Sequence, residues 1–115
     1  MWPWFCLALF FWSSSAVAGP LPHLQCTGDD PDWRLELAGD VARLQFLGWT
    51  EMQVPHTALA EGLDWPRALT LIGPRDSAIA LVHRRVCDDD SYEIQLLTQR
   101  GQTPILLTGC CRVDN

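Results

Sequence analysis

Cysteine is the residue type with the greatest chemical potential in this chain, and its spacing narrows what it can do. Four of the five cysteines, Cys26, Cys87, Cys110 and Cys111, lie beyond an apolar leader. Neighbouring residues of a strand point to opposite faces, so Cys110 and Cys111 cannot easily share one partner. We expect one to form a disulfide with Cys26 and the other with Cys87, in either combination. The alternative is a zinc site that adds His83, although the usual Cys-x-x-Cys spacing is absent.

Acidic and aromatic side chains near these cysteines are the next candidates. One acidic run precedes Trp33, and a second follows Cys87, where three aspartates are consecutive. Neither run has the alternating ligands, the glycine and the distal glutamate of an EF-hand calcium loop, so we expect solvated turns in both places. The residues expected to contact any ligand or partner are Asp30, Trp33, Asp88, Asp89, Asp90 and Tyr92.

The overall charge narrows the choice of partners. Fourteen acidic residues oppose eight arginines, and the absence of lysine leaves a formal charge of -6. Such a chain lacks the basic footprint that nucleic acid requires, and anionic lipid headgroups would repel it. We therefore expect a basic or neutral partner and no nucleic acid. No nucleophile elbow, phosphate loop or zinc-protease motif occurs, so we expect no enzyme, no cofactor and no resident metal.

The first eighteen residues have the pattern of an export signal. An apolar run over residues 5–12 is followed by serines and by an Ala-Val-Ala sequence that ends at Ala18, as before a signal-peptidase cut. The run is too short to span a bilayer. We predict a signal peptide over residues 1–18 and one all-β domain over residues 19–115, periplasmic or secreted. We expect no stable membrane insertion after cleavage, and an oxidising compartment that favours disulfides.

Alternation of apolar and polar residues predicts one β-hairpin in detail. Residues 33–37 and 42–46 both alternate, and the Gly-Asp pair that begins at Gly39 suits a two-residue type II′ turn. This turn would place Leu35 opposite Leu44 on an apolar face, with polar pairs on the other face. Pattern and turn agree, which fixes the register of the hairpin.

Further short strands are expected along the middle of the chain. A strand over residues 51–54 should stop at Pro55, and residues 56–66 should form a loop with room for one helical turn. A strand over residues 69–72 should precede one over residues 77–86. The strand over residues 77–86 has apolar side chains at both odd and even positions, which favours a central strand covered on both faces.

A final hairpin completes the expected fold. Residues 92–98 and 103–111 flank an Arg-Gly pair, and a two-residue loop there would pair Leu96 with Ile105 and, by the same count, Ile94 with Leu107. A bulged turn with Gly101 as its glycine fits the sequence equally well, because arginine disfavours a positive φ. No helix-length apolar period occurs in the mature chain. The fold class is therefore all-β, a small antiparallel barrel or sandwich of seven to eight short strands stapled by disulfides.

The cysteines and their neighbours resemble a family of small bacterial exported proteins and lipoproteins, often described only as predicted membrane proteins. Residues 26–33 are similar to its Cys-x-Gly-x-Glu-Pro-Phe-Trp opening, residues 87–92 to its cysteine, acidic turn and tyrosine, and residues 109–111 to its Gly-Cys close. Asp30 and Asp32 stand where the family favours Glu and Phe. The resemblance implies an envelope protein of undefined activity, sometimes found beside META-type domains and membrane-bound C-type lysozyme inhibitors.

Three functions are hypotheses at this point. The leading one is an exported, non-catalytic binding or structural module of the bacterial envelope. The second is an inhibitor of a basic envelope hydrolase such as a C-type lysozyme, which an acidic surface would attract. The third is a metal-dependent enzyme or sensor built on His83, Cys87, Cys110 and Cys111.

Overall fold

The computed structural model describes residues 19–99 and 103–114, which form eight β-strands. The predicted signal peptide lies outside the described residues, as does the Arg-Gly turn of the last hairpin. None of the described residues forms a helix long and apolar enough to cross a membrane. The strands are β1 (Leu24–Gly28), β2 (Trp33–Ala38), β3 (Val41–Gln45), β4 (Trp49–Leu59), β5 (Arg67–Ile72), β6 (Ser77–His83), β7 (Tyr92–Thr98) and β8 (Ile105–Val113).

The strands close into an up-and-down antiparallel barrel. Each strand pairs with the next in chain order, and β8 pairs with β1. The all-β prediction is confirmed, and of the two expected architectures the structure is the barrel. Closure gives each of the eight strands a hydrogen-bonded neighbour on both sides, which removes the open edges that a sheet would otherwise present.

Inward-facing side chains fill the barrel. In β2, for example, Trp33, Leu35 and Leu37 are buried while Arg34 between them is exposed. The interior of an eight-stranded barrel is just wide enough for side chains to fill it. The larger core residues are accommodated because small alanines on β3 and β6 also point inward. Function must therefore be sought on the outer faces and at the ends of the barrel.

The first predicted hairpin is confirmed residue by residue. Leu35 pairs with Leu44, Leu37 with Ala42, and the polar residues pair on the outer face. Gly39 has a φ of +65°, the left-handed conformation that the first residue of a type II′ turn requires and that glycine adopts without steric cost.

The expected end of β4 at Pro55 is wrong. β4 continues to Leu59, and its pairing with β5 shifts by one residue between Gln53 and His56, where two β4 residues oppose Leu71 alone. Proline cannot donate a hydrogen bond to the ladder, and a bulge accommodates it without ending the strand. The expected loop over residues 56–66 is correspondingly shorter, and its first four residues are strand.

The expectation that β6 is covered on both faces is also wrong. Ala78, Ala80 and Val82 are buried, whereas Ile79 and Leu81 are 47% and 37% exposed. The strand ends at His83 rather than at residue 86. The two sets of alternating residues in β6 are therefore apolar for different reasons. One set packs in the core, and the other forms an apolar outer surface.

The last hairpin has a different register from the predicted one. Leu96 pairs with Leu107 and Ile94 with Gly109, each two residues further along β8 than a two-residue loop would give. The first residues of β7 and β8 to pair across this connection are therefore Thr98 and Ile105. Gln99, just past the end of β7, donates its backbone N–H to the carbonyl of Ser77 on β6, at 3.0 Å.

Candidate functional site

The four cysteines of the described chain form two disulfides on opposite sides of the barrel wall. Cys26 and Cys111 face each other across the β1–β8 seam, and both side chains are fully buried. Cys110, the residue before Cys111, points outward and forms a disulfide with Cys87. The expectation that the adjacent cysteines take different partners is confirmed, and the combination that the sequence left open is Cys26–Cys111 with Cys87–Cys110.

The outer disulfide anchors an acidic turn on the barrel surface. Cys87 and Asp90 exchange two backbone hydrogen bonds of 2.9 Å, which makes Asp88 and Asp89 the tip of a tight turn. Asp88 and Asp89 are exposed, and Asp88 Oδ2 lies 3.8 Å from the sulfur of Cys110. The acidic run is thus a turn, as expected, but the disulfide holds it against β8.

The proposed metal ligands are engaged elsewhere. Cys87, Cys110 and Cys111 are disulfide-bonded and have no thiolate to offer. The Nδ1 atom of His83 lies 3.0 Å from a guanidinium nitrogen of Arg85. Across residues 19–99 and 103–114, no three potential ligands come together in a way that could hold a metal ion.

Trp33 is a core residue rather than an exposed contact. It is 4% exposed, and its indole N–H donates to the backbone carbonyl of Thr108 at 3.1 Å. The ring lies against Gly28 and Gly109, where an added Cβ would overlap it. These glycines let a large aromatic ring close one end of the barrel, so the Gly-Trp spacing of the opening motif has a packing role.

Tyr92 is buried as well. It is 8% exposed, and its ring centroid lies 5.4 Å from that of Trp65. Trp65 also contacts Arg67, whose guanidinium lies 4.2 Å from the ring centroid. Arg67 is itself 5% exposed and donates to the carbonyls of Asp64 and Gly19. This cluster closes the opposite end of the barrel, and Tyr92 is part of the packing there.

A cleft opens at the end of the barrel that Trp33 closes. It measures about 510 Å³, and the turn after β1 and the turn after β3 form its walls. Asp29 and Asp32 come from the first turn, Leu47 from the second, and Arg34 from the outer face of β2. Asp30 is exposed on the same turn, with a φ of +53°, but does not line this cleft.

A second cleft adjoins the first along the outer surface of β1, β2 and β8. It measures about 250 Å³ and shares Thr27 and Arg34 with the first cleft. Glu36, Asp90 and Arg112 complete its charged lining. The two clefts form one continuous surface, which we call the polar groove and define by Asp29, Asp32, Arg34, Glu36, Asp90 and Arg112.

The polar groove carries excess negative charge. Four carboxylates face two guanidinium groups, and Glu36 lies 3.8 Å from Arg43 just outside the groove. Arg112 donates to the side-chain carbonyl of Gln25 at 3.1 Å rather than to a carboxylate. Such a lining suits a ligand that brings mainly basic groups together with some hydrogen-bonding capacity.

The residues that were predicted to contact a partner therefore lie in different parts of the structure. Asp90 lines the groove, Asp30 lies beside it, Asp88 and Asp89 form the exposed turn, and Trp33 and Tyr92 are in the core. Of the six groove residues only Asp90 was predicted, and Asp29, Asp32 and Arg112 were missed. So were Arg34 and Glu36 of β2. The signal was present, because both alternate with the buried residues of β2 and must point outward.

Comparison of the chain with models of protein families, with curated proteins and with solved structures finds no match.

Proposed function

We propose that this protein is an exported, non-catalytic binding module that holds a basic protein partner along the polar groove. The observation that carries the proposal is the continuity of the two clefts, which brings four carboxylates from three separate parts of the chain onto one surface. The proposed location is the periplasm or the extracellular space. The two disulfides support it, because they persist in oxidising compartments.

The charge of the groove gives the binding a defined physical character. Opposite charges steer the encounter and set the register of the two partners, and salt screens them at about 10 Å for about 0.1 M ionic strength. Because the carboxylates are partly solvated, each contributes modestly, and the groove acts through their number. Binding should therefore weaken steeply as salt rises.

The test is a binding experiment on the full chain, purified as the producing cell processes it. The immobilised protein is exposed to periplasmic extract at about 50 mM and about 300 mM salt, and a C-type lysozyme serves as a defined basic probe. The variant Asp29→Asn with Asp32→Asn should weaken binding about tenfold, because two carboxylates leave the groove.

The matched control changes the same number of charges at the other end of the barrel. Asp40 and Glu61 are exposed in the turns after β2 and β4, and Asp40→Asn with Glu61→Gln should change binding less than about twofold. An equal loss in both double variants would mean that only the net charge matters, which would contradict a groove-specific partner. Hydrolytic turnover by the purified protein would contradict a non-catalytic role.

A second candidate function is inhibition of a basic hydrolase such as a C-type lysozyme, and Leu47 favours it. This leucine is 76% exposed at the mouth of the groove, on the same cleft as Asp29 and Asp32. Its φ of +57° is unfavourable for a leucine. An apolar tip with carboxylates beside it is suited to enter the cleft of a cationic enzyme.

The variant Leu47→Asn should reduce inhibition without reducing the stability of the protein. Asparagine tolerates the left-handed conformation, so the free energy of unfolding should stay equal or rise by up to about 1 kcal/mol. Inhibition of lysozyme should fall at the same time, measured by titrating the enzyme with the variant and the parent protein. An absence of inhibition by micromolar parent protein would remove this candidate while leaving the first one open.

A further inference from the structure

The outer surface of β5–β8 carries a patch without charge. Thr70, Ile79, Leu97 and Leu106 stand directly opposite one another in one row across the four strands. Ile72 on β5 and Leu81 on β6 lie beside this row, on the same outer parity. Four of these side chains are large and exposed, with Ile79 at 47% and Leu106 at 60%. We call the six residues the neutral face.

The six residues of the neutral face carry no charge, although charged residues border it, including Arg75 and Asp76 in the turn after β5. The charged residues that point outward from the same strands, Glu93 on β7 and Arg112 on β8, lie toward the other end of the barrel. The polar groove is centred on β1 and β2, about half a turn around the barrel from β6. Apolar patches of this size are often functional on soluble proteins, which makes the neutral face a candidate contact site.

We infer that the neutral face binds a second copy of this chain. A basic partner would gain little there, since the face has no carboxylate to attract it. Two copies of a chain with a formal charge of -6 repel each other, and contact through the groove or the acidic turns would bring carboxylates together. The neutral face lets them meet without burying a charge. A two-fold pair would place Ile79 and Leu97 of each copy against the other.

The small area of the neutral face predicts a weak dimer. With strands about 4.8 Å apart, the face covers on the order of 300–400 Å², below the ~800 Å² that each partner of a standard stable interface contributes. The closed barrel leaves the strands paired on both sides, so the contact is face to face rather than by strand addition. The pair is therefore reversible, with a dissociation constant between about 10 μM and 1 mM.

Sedimentation equilibrium over a concentration series tests the pair directly. The full chain, purified as the cell processes it, should shift from monomer to dimer over this range and go no further. Ile79→Asp should weaken dimerisation about 10- to 100-fold, because the two-fold pair buries two carboxylates. Leu106→Lys should weaken it similarly, and its opposite charge shows that the site rather than the net charge is responsible.

The control is Leu63→Asp, which adds the same charge at an exposed leucine in the turn after β4. It should change the dissociation constant less than about threefold. Both test residues are substantially exposed, and circular dichroism verifies that the variants fold. A parent chain that stays monomeric at millimolar concentration overturns the inference, and so does a dimer that Ile79→Asp and Leu106→Lys leave intact.

Discussion

The barrel has two sides that enclose the same kind of core and show opposite chemistry to solvent. On β2 and β3 the outward residues include Arg34, Glu36 and Arg43, whereas on β6 and β8 they include Ile79 and Leu106. Inward residues on both sides are leucine, valine, alanine and similar types. The inward-pointing residues form the core that holds the barrel together. The outward-pointing residues can therefore differ from one side of the barrel to the other without changing the fold.

This difference explains which strands were easy to interpret. On the charged side, polar outward residues make the period-2 alternation plain, and the register of β2 with β3 is correct at every predicted pair that the structure contains. On β6 the residues that point inward and those that point outward are both apolar, a pattern also typical of a strand buried on both faces. An exposed apolar face and a covered one look alike in the sequence of a single strand.

The largest predicted effect is at the seam where β8 meets β1. Removing the inner disulfide by Cys26→Ala with Cys111→Ala should lower the free energy of unfolding by about 4–5 kcal/mol, and removing the outer one by Cys87→Ala with Cys110→Ala by about 3 kcal/mol. The reason is that the inner bridge joins residues 85 apart and the outer one residues 23 apart. Urea unfolding under non-reducing conditions measures both. Equal losses would show that the length of the closed loop does not determine how much each disulfide stabilises the protein.

The second prediction tests whether the two sides share one core. Leu35 on the charged side and Leu96 on the neutral side are both fully buried. Leu35→Ala and Leu96→Ala should each lower the free energy of unfolding by about 2–5 kcal/mol. Denaturant unfolding should give values within about 1.5 kcal/mol of each other. A much smaller loss at Leu96 would mean that the core packs differently on the neutral side.

The third prediction separates the sides by their response to salt. Raising the salt from about 50 mM to about 300 mM should weaken binding of a basic protein to the polar groove about tenfold or more, because the charges are screened. Self-association through the neutral face should stay equal or strengthen, since screening reduces the general repulsion between two acidic copies. Titration calorimetry and sedimentation measure the two responses. Parallel weakening would place both contacts on charged surface.

The smallest effects are expected from exposed residues of either side. Arg43→Gln removes an exposed 3.8 Å ion pair with Glu36 and a 5.0 Å contact with the Trp49 ring, and Leu106→Ser removes an exposed apolar side chain. Each should change the free energy of unfolding by less than about 1 kcal/mol. Thermal unfolding at dilute concentration measures both. A larger loss from Leu106→Ser would indicate a structural role for the neutral face.

The all-β class and the first hairpin could be predicted from local patterns, whereas the choice between barrel and sandwich and the irregular strand ends could not. The turn at Gly39 and the alternation around it determine β2 and β3, and the opposite orientation of adjacent residues determines that Cys110 and Cys111 take different partners. Pro55 and the Arg-Gly pair led to different errors. The proline is absorbed by a bulge inside β4, and β7 pairs with residues of β8 two positions further along than a two-residue loop at the Arg-Gly pair would give.

The candidate site was less predictable because distant segments build it. Asp90 reaches the outer surface of β1 and β2 through the Cys87–Cys110 bridge, a pairing that the sequence left open. Trp33 and Tyr92 were expected to contact a ligand or partner, yet each is the first residue of a strand and points into the core. Aromatic residues at that position close the barrel rather than contact a partner.

The centre of the polar groove, between β1 and β2, lies three strands around the barrel from the centre of the neutral face, and this placement has a consequence for valency. In a two-fold pair joined through the neutral face, the two grooves point away from each other, toward opposite sides of the assembly. One pair could then bridge two basic proteins, or bind twice to a surface that repeats the same basic site. For such a surface the second contact is intramolecular, so avidity rises without any new contact within the groove. The local concentration of this protein would then determine how much of it is dimeric, and therefore how tightly it binds such a surface.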